Sequence, residues 1–125
     1  MKKLTKEQLL LLHEQLIDRY GGMKGIRDEF LLDSALNAPY QSYDTYEFYP
    51  TVIQKATRLC YGLVMDHPFF DGNKRVGALA LLVTLDLNQY SLLASNDELS
   101  KEILQLAAGT ITYEAFYQWV QEHLG

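Results

Sequence analysis

The chain has 125 residues, of which 48% are hydrophobic, and this suits one compact domain with a proper buried core. The net charge of −5 and a pI near 5.1 argue against a nucleic-acid-binding protein, because no dense basic stripe is present to displace counterions. There is no run of about eighteen apolar residues and no apolar secretion signal at the N-terminus, so we expect no membrane contact and a cytoplasmic location.

Apolar residues recur at helical spacing along the chain and predict an all-α bundle of about six helices. The first helix starts after Thr5 and stops at Gly21-Gly22. Thr5 and Gln8 have the spacing of a capping box. The second covers roughly residues 28–37 and is closed by Pro39.

A polar, aromatic connection over residues 40–50 leads to a third helix, which starts at Thr51 and ends near His67-Pro68 because proline opposes its continuation. The lone Cys60 is predicted to be a small buried hydrophobe, and no disulfide is possible within the chain. The residues predicted to face inward are Val52, Ala56, Leu59 and Leu63, with Ile53 and Cys60 as further candidates.

The fourth helix covers about residues 73–88 and has almost no polar face, so it is predicted to be the central, enclosed helix of the bundle. Residues 90–94 are predicted to form a short extended piece. A fifth helix, capped by Ser95 or Asn96, and a sixth over residues 112–122 complete the chain.

The junction between the third and fourth helices, residues 67–75, contains a base, a carboxylate, a Gly-Asn turn and two cations. A Gly-Asn turn that opens a helix leaves backbone N–H groups unpaired, with the positive end of the helix dipole behind them, and so forms a cradle for phosphate oxygens. Gly72 and Asn73 are therefore candidate nucleotide-binding residues. Lys74 and Arg75 add positive charge there and are candidates for both nucleotide binding and catalysis.

Two further side chains of this junction suit phosphoryl transfer. An unperturbed imidazole titrates near neutral pH, so His67 is the candidate general base for a hydroxyl group. Asp71 is the candidate catalytic Mg²⁺ ligand. A purely structural turn is the competing interpretation, because Gly, Asn and Asp also cap helices. Two cations oppose the dipole at a helix start unless an anion offsets them, and this favours a functional site.

The nonapeptide His67-Pro-Phe-Phe-Asp-Gly-Asn-Lys-Arg75 resembles the signature of the Fic/Doc superfamily, usually written His-Pro-Phe-x-Asp/Glu-Gly-Asn-Gly/Lys-Arg-x-x-Arg. The likeness to death-on-curing (Doc) proteins spans nearly the whole chain and implies a single Fic/Doc-like domain over residues 1–125. The other similar segments are Gly25-Ile-Arg-Asp28, Leu31-Leu-Asp-Ser-Ala-Leu36, Ala38-Pro39, Tyr49-Pro50, Ala107-Ala-Gly109 and Trp119.

Two positions depart from the pattern of adenylyl-transferring Fic enzymes: Lys74 stands where they have a second Gly, and Ala78 where they have a second Arg. Doc-type toxins share both departures. The resemblance therefore implies a toxin that uses ATP and Mg²⁺ and passes the γ-phosphate to a protein hydroxyl. It suggests elongation factor Tu as the target, a block of translation as the effect, and a cognate antitoxin as the partner.

The resemblance also implies that residues 40–50 form a flap over the active site, with Tyr43, Tyr46 and Tyr49 docking the target. Aromatic packing of a long loop onto the helices is the alternative. His13 and His123 lie in polar helical sequence and are predicted to be solvated.

Two other functions stay open. A Fic-type nucleotidyltransferase would place AMP on the target hydroxyl, and Lys74 and Ala78 argue against it. A catalytically idle binding module would keep the fold for protein contact alone, and the complete set of reactive residues argues against that. The segment from Thr110 to Glu114 only partly matches the inhibitory motif of Fic enzymes. Inhibition of the activity is therefore expected to come from a separate antitoxin.

Overall fold

The structure, a computed structural model that describes residues 1–125, contains six α-helices, one short 3₁₀ segment and one two-stranded hairpin. The predicted all-α fold is confirmed. None of the helices combines the length and the apolarity that a membrane span requires. In chain order, α1 to α6 are Lys6–Tyr20, Glu29–Asn37, Val52–Asp66, Asn73–Leu87, Asn96–Ala108 and Tyr113–Glu122.

Side-chain caps explain where most of the helices begin. In five helices the residue before the first turn accepts a hydrogen bond from a backbone N–H three positions on. These caps are Thr5, Asp28, Thr51, Ser95 and Thr112. The exception is α4, because its N-cap is Gly72, which has no side chain to offer.

Helices α3 and α4 lie at the centre of the molecule. Both contribute residues to each of the two buried apolar clusters. One cluster joins them to α5 and α6, and the other joins them to α1 and α2. Phe69, from the junction between α3 and α4, is 1% exposed and belongs to the second cluster. Burial of its ring anchors the motif loop to the core.

The fourth helix is central but not enclosed, which corrects the prediction from its composition. Ala78, Leu79 and Leu82 are only half-buried and line a cleft. The walls of this cleft come from α1 and α5, which flank α4 and leave part of its apolar surface open between them. An apolar composition shows that a helix needs covering, but it does not show how many neighbours cover it.

Residues 40–50 contain more structure than the predicted connection. A 3₁₀ segment, Ala38–Tyr40, is followed by strands β1 (Ser42–Tyr43) and β2 (Tyr46–Glu47), which pair antiparallel. Lys55 of α3 is buried and donates hydrogen bonds to Glu47 Oε1, at 3.0 Å, and to the carbonyl of Tyr49. This lysine ties the hairpin to α3.

Smaller differences concern single positions. Val52 is half-buried, whereas its predicted neighbours Ile53, Ala56, Leu59, Cys60 and Leu63 are buried. The predicted extended piece at 90–94 is present only as a bridge between Leu92 and Leu124.

Candidate active site

The motif loop and the start of α4, residues 67–75, lie at one end of the cleft between α1, α4 and α5. The cleft is a cavity of about 670 Å³. All six predicted site residues of the motif line it: His67, Asp71, Gly72, Asn73, Lys74 and Arg75. Beyond them the cavity is largely apolar, with Leu79, Leu82 and Leu104 among its walls. The candidate reactive groups therefore lie together at one end of a cleft whose other walls are mostly apolar.

His67 ends α3 in the left-handed backbone conformation, with φ 51° and ψ 56°, and its side chain is exposed. Its ring Nδ1 lies 3.1 Å from the carbonyl oxygen of Met65. Because a carbonyl oxygen only accepts hydrogen bonds, the ring hydrogen belongs on Nδ1, and the neutral ring keeps the lone pair of Nε2 free. The geometry thus provides an accessible basic nitrogen at the cavity.

The position of His67 depends on Arg27, a residue for which the sequence predicted no role. Arg27 donates from Nε to the carbonyl of His67, at 2.7 Å, and from Nη2 to that of Asp66, at 3.1 Å. A cation that binds the last carbonyls of a helix satisfies groups that have no intrahelical partner and complements the helix dipole. The end of α3 is therefore set by Arg27 as well as by Pro68.

Asp71 is exposed, and its Oδ2 accepts a hydrogen bond of 2.6 Å from the backbone N–H of Met23. Its other carboxylate oxygen accepts none from the protein. No three His, Cys, Asp or Glu side chains come together in a metal-binding group anywhere in the chain. Since Mg²⁺ is often held by one or two carboxylates together with substrate phosphates, Asp71 suits an ion that arrives with a nucleotide.

Gly72 and Asn73 shape the loop. Gly72 adopts φ 79°, in the left-handed region that glycine enters without strain. Asn73 is 7% exposed and spans the loop, since Oδ1 accepts from the N–H of Phe69 and Nδ2 donates to its carbonyl, both at 3.0 Å. This bonding uses one of the two N–H donors of Nδ2, so the second one and the backbone N–H of Asn73 make no hydrogen bond within the loop.

Lys74 and Arg75 are exposed in the first turn of α4, and neither forms a salt bridge, unlike Lys6, Lys24 and Lys55. The Arg75 guanidinium instead lies 4.6 Å from the centroid of the Tyr20 ring. Two unpaired cations at the positive end of a helix repel each other and the dipole. An anion bound at this position would relieve the repulsion.

The predicted docking tyrosines fall into two groups. Tyr43 and Tyr46 face each other across the hairpin and are 77% and 65% exposed. Tyr49 is half-buried, accepts a hydrogen bond from Arg58 Nε at 3.1 Å, and packs edge-on against Tyr113. None of the three lines the cavity. Target docking therefore stays a prediction, and Tyr49 takes part in the packing that the alternative interpretation described.

The prediction that His13 is solvated is wrong. The side chain is 3% exposed and lies under the motif loop, with Nε2 2.7 Å from the carbonyl oxygen of Asp71. The spacing Leu9, His13, Ile17 along α1 was the available signal, because residues four apart share one helix face. His123 is half-buried and stacks on Trp119, so it too is less solvated than predicted.

Comparison with known proteins identifies the family. The model of the Fic/DOC family matches residues 3–85, which is more than half of the chain and includes the motif loop. The chain belongs to the Fic/DOC family, and the resemblance drawn from residues 67–75 is confirmed.

The similarity continues past the region that the family model covers. The chain is similar to the Protein kinase doc of Escherichia phage P1, with 26% identity over 114 residues. This alignment covers 91% of the present chain and 86% of the phage protein. The two proteins are thus related over nearly their whole lengths.

Proposed function

We propose that this protein is a Doc-type toxin that transfers the γ-phosphate of ATP to a Ser, Thr or Tyr hydroxyl of a protein in the cytoplasm. The observation that carries the proposal is the start of α4, which has no side-chain cap and bears two cations that form no salt bridge and line the cavity. The relationship to a protein kinase supports phosphoryl transfer as the reaction. The family suggests elongation factor Tu as the target, so that translation would stop.

In the proposed reaction the target hydroxyl loses its proton to Nε2 of His67 while its oxygen attacks the γ-phosphorus. The bond from this phosphorus to the bridging oxygen of the β-phosphate breaks, and ADP leaves. Lys74, Arg75 and the first N–H groups of α4 stabilise the charge on the phosphate oxygens. Asp71 would hold the Mg²⁺, which neutralises part of the same charge when bound.

The distribution of charge along the cleft favours phosphate over AMP as the transferred group. Lys74 and Arg75 lie at the end formed by the motif loop, whereas Ala78, one turn further along α4, lies among the apolar lining residues. The part of the cleft that Ala78 lines therefore lacks the second arginine of the adenylyl-transferring pattern. A terminal phosphate bound by Lys74 and Arg75 would share the cavity with His67, which supports γ-phosphate transfer.

Radiolabelled ATP tests the reaction directly. With purified elongation factor Tu, or a cell extract, as acceptor, we expect label from the γ-phosphate on a protein and none from the α-phosphate. Intact-mass measurement of the modified protein gives an independent reading of the transferred group. Label from the α-phosphate alone would refute the kinase proposal and establish nucleotidyl transfer.

Replacement of the proposed base separates an enzyme from an idle binding module. His67→Ala should reduce the transfer rate by about 10² to 10⁴-fold and relieve growth inhibition. Because the His67 side chain is exposed, thermal stability should change little. His123→Ala, a histidine variant outside the cavity, is the matched control. Full toxicity of folded His67→Ala would favour the binding module.

The open face of α4 is the proposed site of the antitoxin. An amphipathic helix laid into the cleft would cover Leu79, Leu82 and Leu104 and approach the motif loop. Leu104→Asp should weaken capture of a candidate antitoxin from a neighbouring reading frame, measured with the two purified proteins. Leu11→Asp is the matched control, because Leu11 and Leu104 are both 56% exposed and Leu11 does not line the cleft. Equal binding by both variants would exclude this surface.

A further inference from the structure

His13 of α1 lies beneath the motif loop in a geometry that specifies its hydrogen. Its Nε2 is 2.7 Å from the carbonyl oxygen of Asp71, which can only accept, so Nε2 carries the hydrogen and donates it. The imidazole also stacks on the ring of Phe69, with 3.7 Å between centroids and 11° between planes. Stacking leaves the ring little freedom to turn away from the carbonyl.

The turn at Asp71 and Gly72 is held against α1 from more than one direction. An ideal Cβ on Gly72 would lie 3.5 Å from His13 Nε2 and 3.3 Å from Ile17 Cδ1, so this glycine packs directly on the helix. The backbone N–H of Met23 holds Oδ2 of Asp71 at 2.6 Å. The carbonyl and the carboxylate of Asp71 thus have separate partners, one on α1 and one just after it.

We propose that His13 is a positioning residue for the transfer reaction, acting through the peptide bond between Asp71 and Gly72. It does not line the cavity, so it has no direct access to a nucleotide. Its N–H fixes the orientation of that peptide, and the peptide in turn aims the Asp71 carboxylate and the first N–H groups of α4. The kinetic part of this inference rests on the function proposed above.

Three variants test the positioning role. His13→Phe keeps a stacked ring and removes the donor, whereas His13→Gln restores an N–H at a similar distance from the backbone. Leu9→Val, on the same buried face of α1, is the control for a general loss of packing. Because a misplacement of about 1 Å can cost about 10²-fold in rate, we expect His13→Phe to lower kcat by about that factor.

The pattern among these variants distinguishes positioning from stability. For His13→Phe we also expect a higher Mg²⁺ concentration at half-maximal rate and a smaller change in KM for ATP. His13→Gln should recover most of kcat, and Leu9→Val should keep it. Wild-type kcat and Mg²⁺ response in folded His13→Phe would overturn the inference, as would an equal kinetic loss in Leu9→Val.

Nuclear magnetic resonance gives a reading that does not depend on catalysis. We expect the His13 ring to carry a hydrogen on Nε2, and larger amide shifts at Asp71 and Gly72 in His13→Phe than in Leu9→Val. If these appear in a protein that transfers no phosphate, the proposed function fails and the positioning of the loop stands. An Nε2 without a hydrogen, or unmoved loop amides, would overturn the inference whatever the activity.

Discussion

Single residues hold the shape of the motif loop, and Asn73 is one of them. Both polar atoms of its amide bond to the backbone of Phe69, four residues earlier, and close the loop over a buried ring. The loop therefore keeps its shape through contacts of its own. A preformed loop needs little reorganisation when an anion binds to it.

We predict that Asn73→Ala lowers the free energy of unfolding by about 2 kcal/mol, since each buried polar group left without a partner costs about 1–3 kcal/mol. Urea denaturation followed by circular dichroism measures this loss. Asn73→Asp keeps the acceptor for the Phe69 N–H but sets an acceptor-only group against the Phe69 carbonyl, so it should not recover the lost stability. A stability of Asn73→Ala equal to that of the wild type would show that the loop is held in some other way.

At the scale of whole elements, the close approach of α3 and α4 depends on Gly77. An ideal Cβ at this position would lie 2.7 Å from Cγ2 of Val64 and 3.3 Å from the carbonyl oxygen of Cys60, both on α3. A valine side chain is stiff about its first bond and cannot easily move aside. The two central helices would have to separate to admit a methyl group.

Gly77→Ala is therefore expected to destabilise the protein, although alanine is the better helix former by about 1 kcal/mol. Overpacking of a tight core typically costs about 1–3 kcal/mol, so we predict a net loss of about 1 kcal/mol in urea denaturation. Gln15→Ala, on the exposed face of α1, should leave stability within about 0.5 kcal/mol. A more stable Gly77→Ala variant would contradict the close packing.

The hairpin is a second element whose position depends on one side chain. Lys55→Met keeps the buried stem and removes the ammonium group that holds Glu47 and the Tyr49 carbonyl. We predict faster hydrogen exchange at the amide of Phe48, which bonds to Gln41 across the hairpin, with little change elsewhere. Lys101→Met, at an exposed position of α5, should leave this exchange rate unaltered. Equal rates in both variants would show that the tether is not needed.

At the scale of the whole molecule, burial sets an alkaline limit on stability. It raises the pKa of the Cys60 thiol from 9.0 to about 12 and also raises the pKa of the Tyr113 phenol. Both groups stay neutral in the folded protein at a pH where the unfolded chain already ionises. The stabilisation is thus complete below the unfolded pKa values and is lost as pH rises towards the folded ones.

We predict that the free energy of unfolding falls by about 1 kcal/mol per pH unit above about pH 9 from the thiol alone. Urea denaturation between about pH 8 and pH 10.5 measures the slope. Cys60→Ala removes the thiol and should give a shallower decline. Identical slopes for this variant and the wild type would show that the thiol does not contribute.

Helix starts were predictable because the interactions that set them are local. Thr5, Thr51 and Ser95 each exchange hydrogen bonds with the residue three positions on, so a window of four residues contains the whole signal. The candidate site was found for a similar reason, since its reactive groups lie in one stretch of nine residues. The hairpin was missed because two-residue strands show no measurable alternation, and its tether to Lys55 becomes visible only once α3 is in place.

The sequence by itself determined the six helices, the family and the candidate site at residues 67–75, because caps, periodicity and a contiguous motif all act within a few positions of the chain. Tertiary structure alone decided that His13 lies beneath Asp71, 58 positions away, and that Arg27 holds the end of α3. It also decided that one face of α4 stays open. These features depend on how the helices lie against one another, and no short window of sequence contains that information.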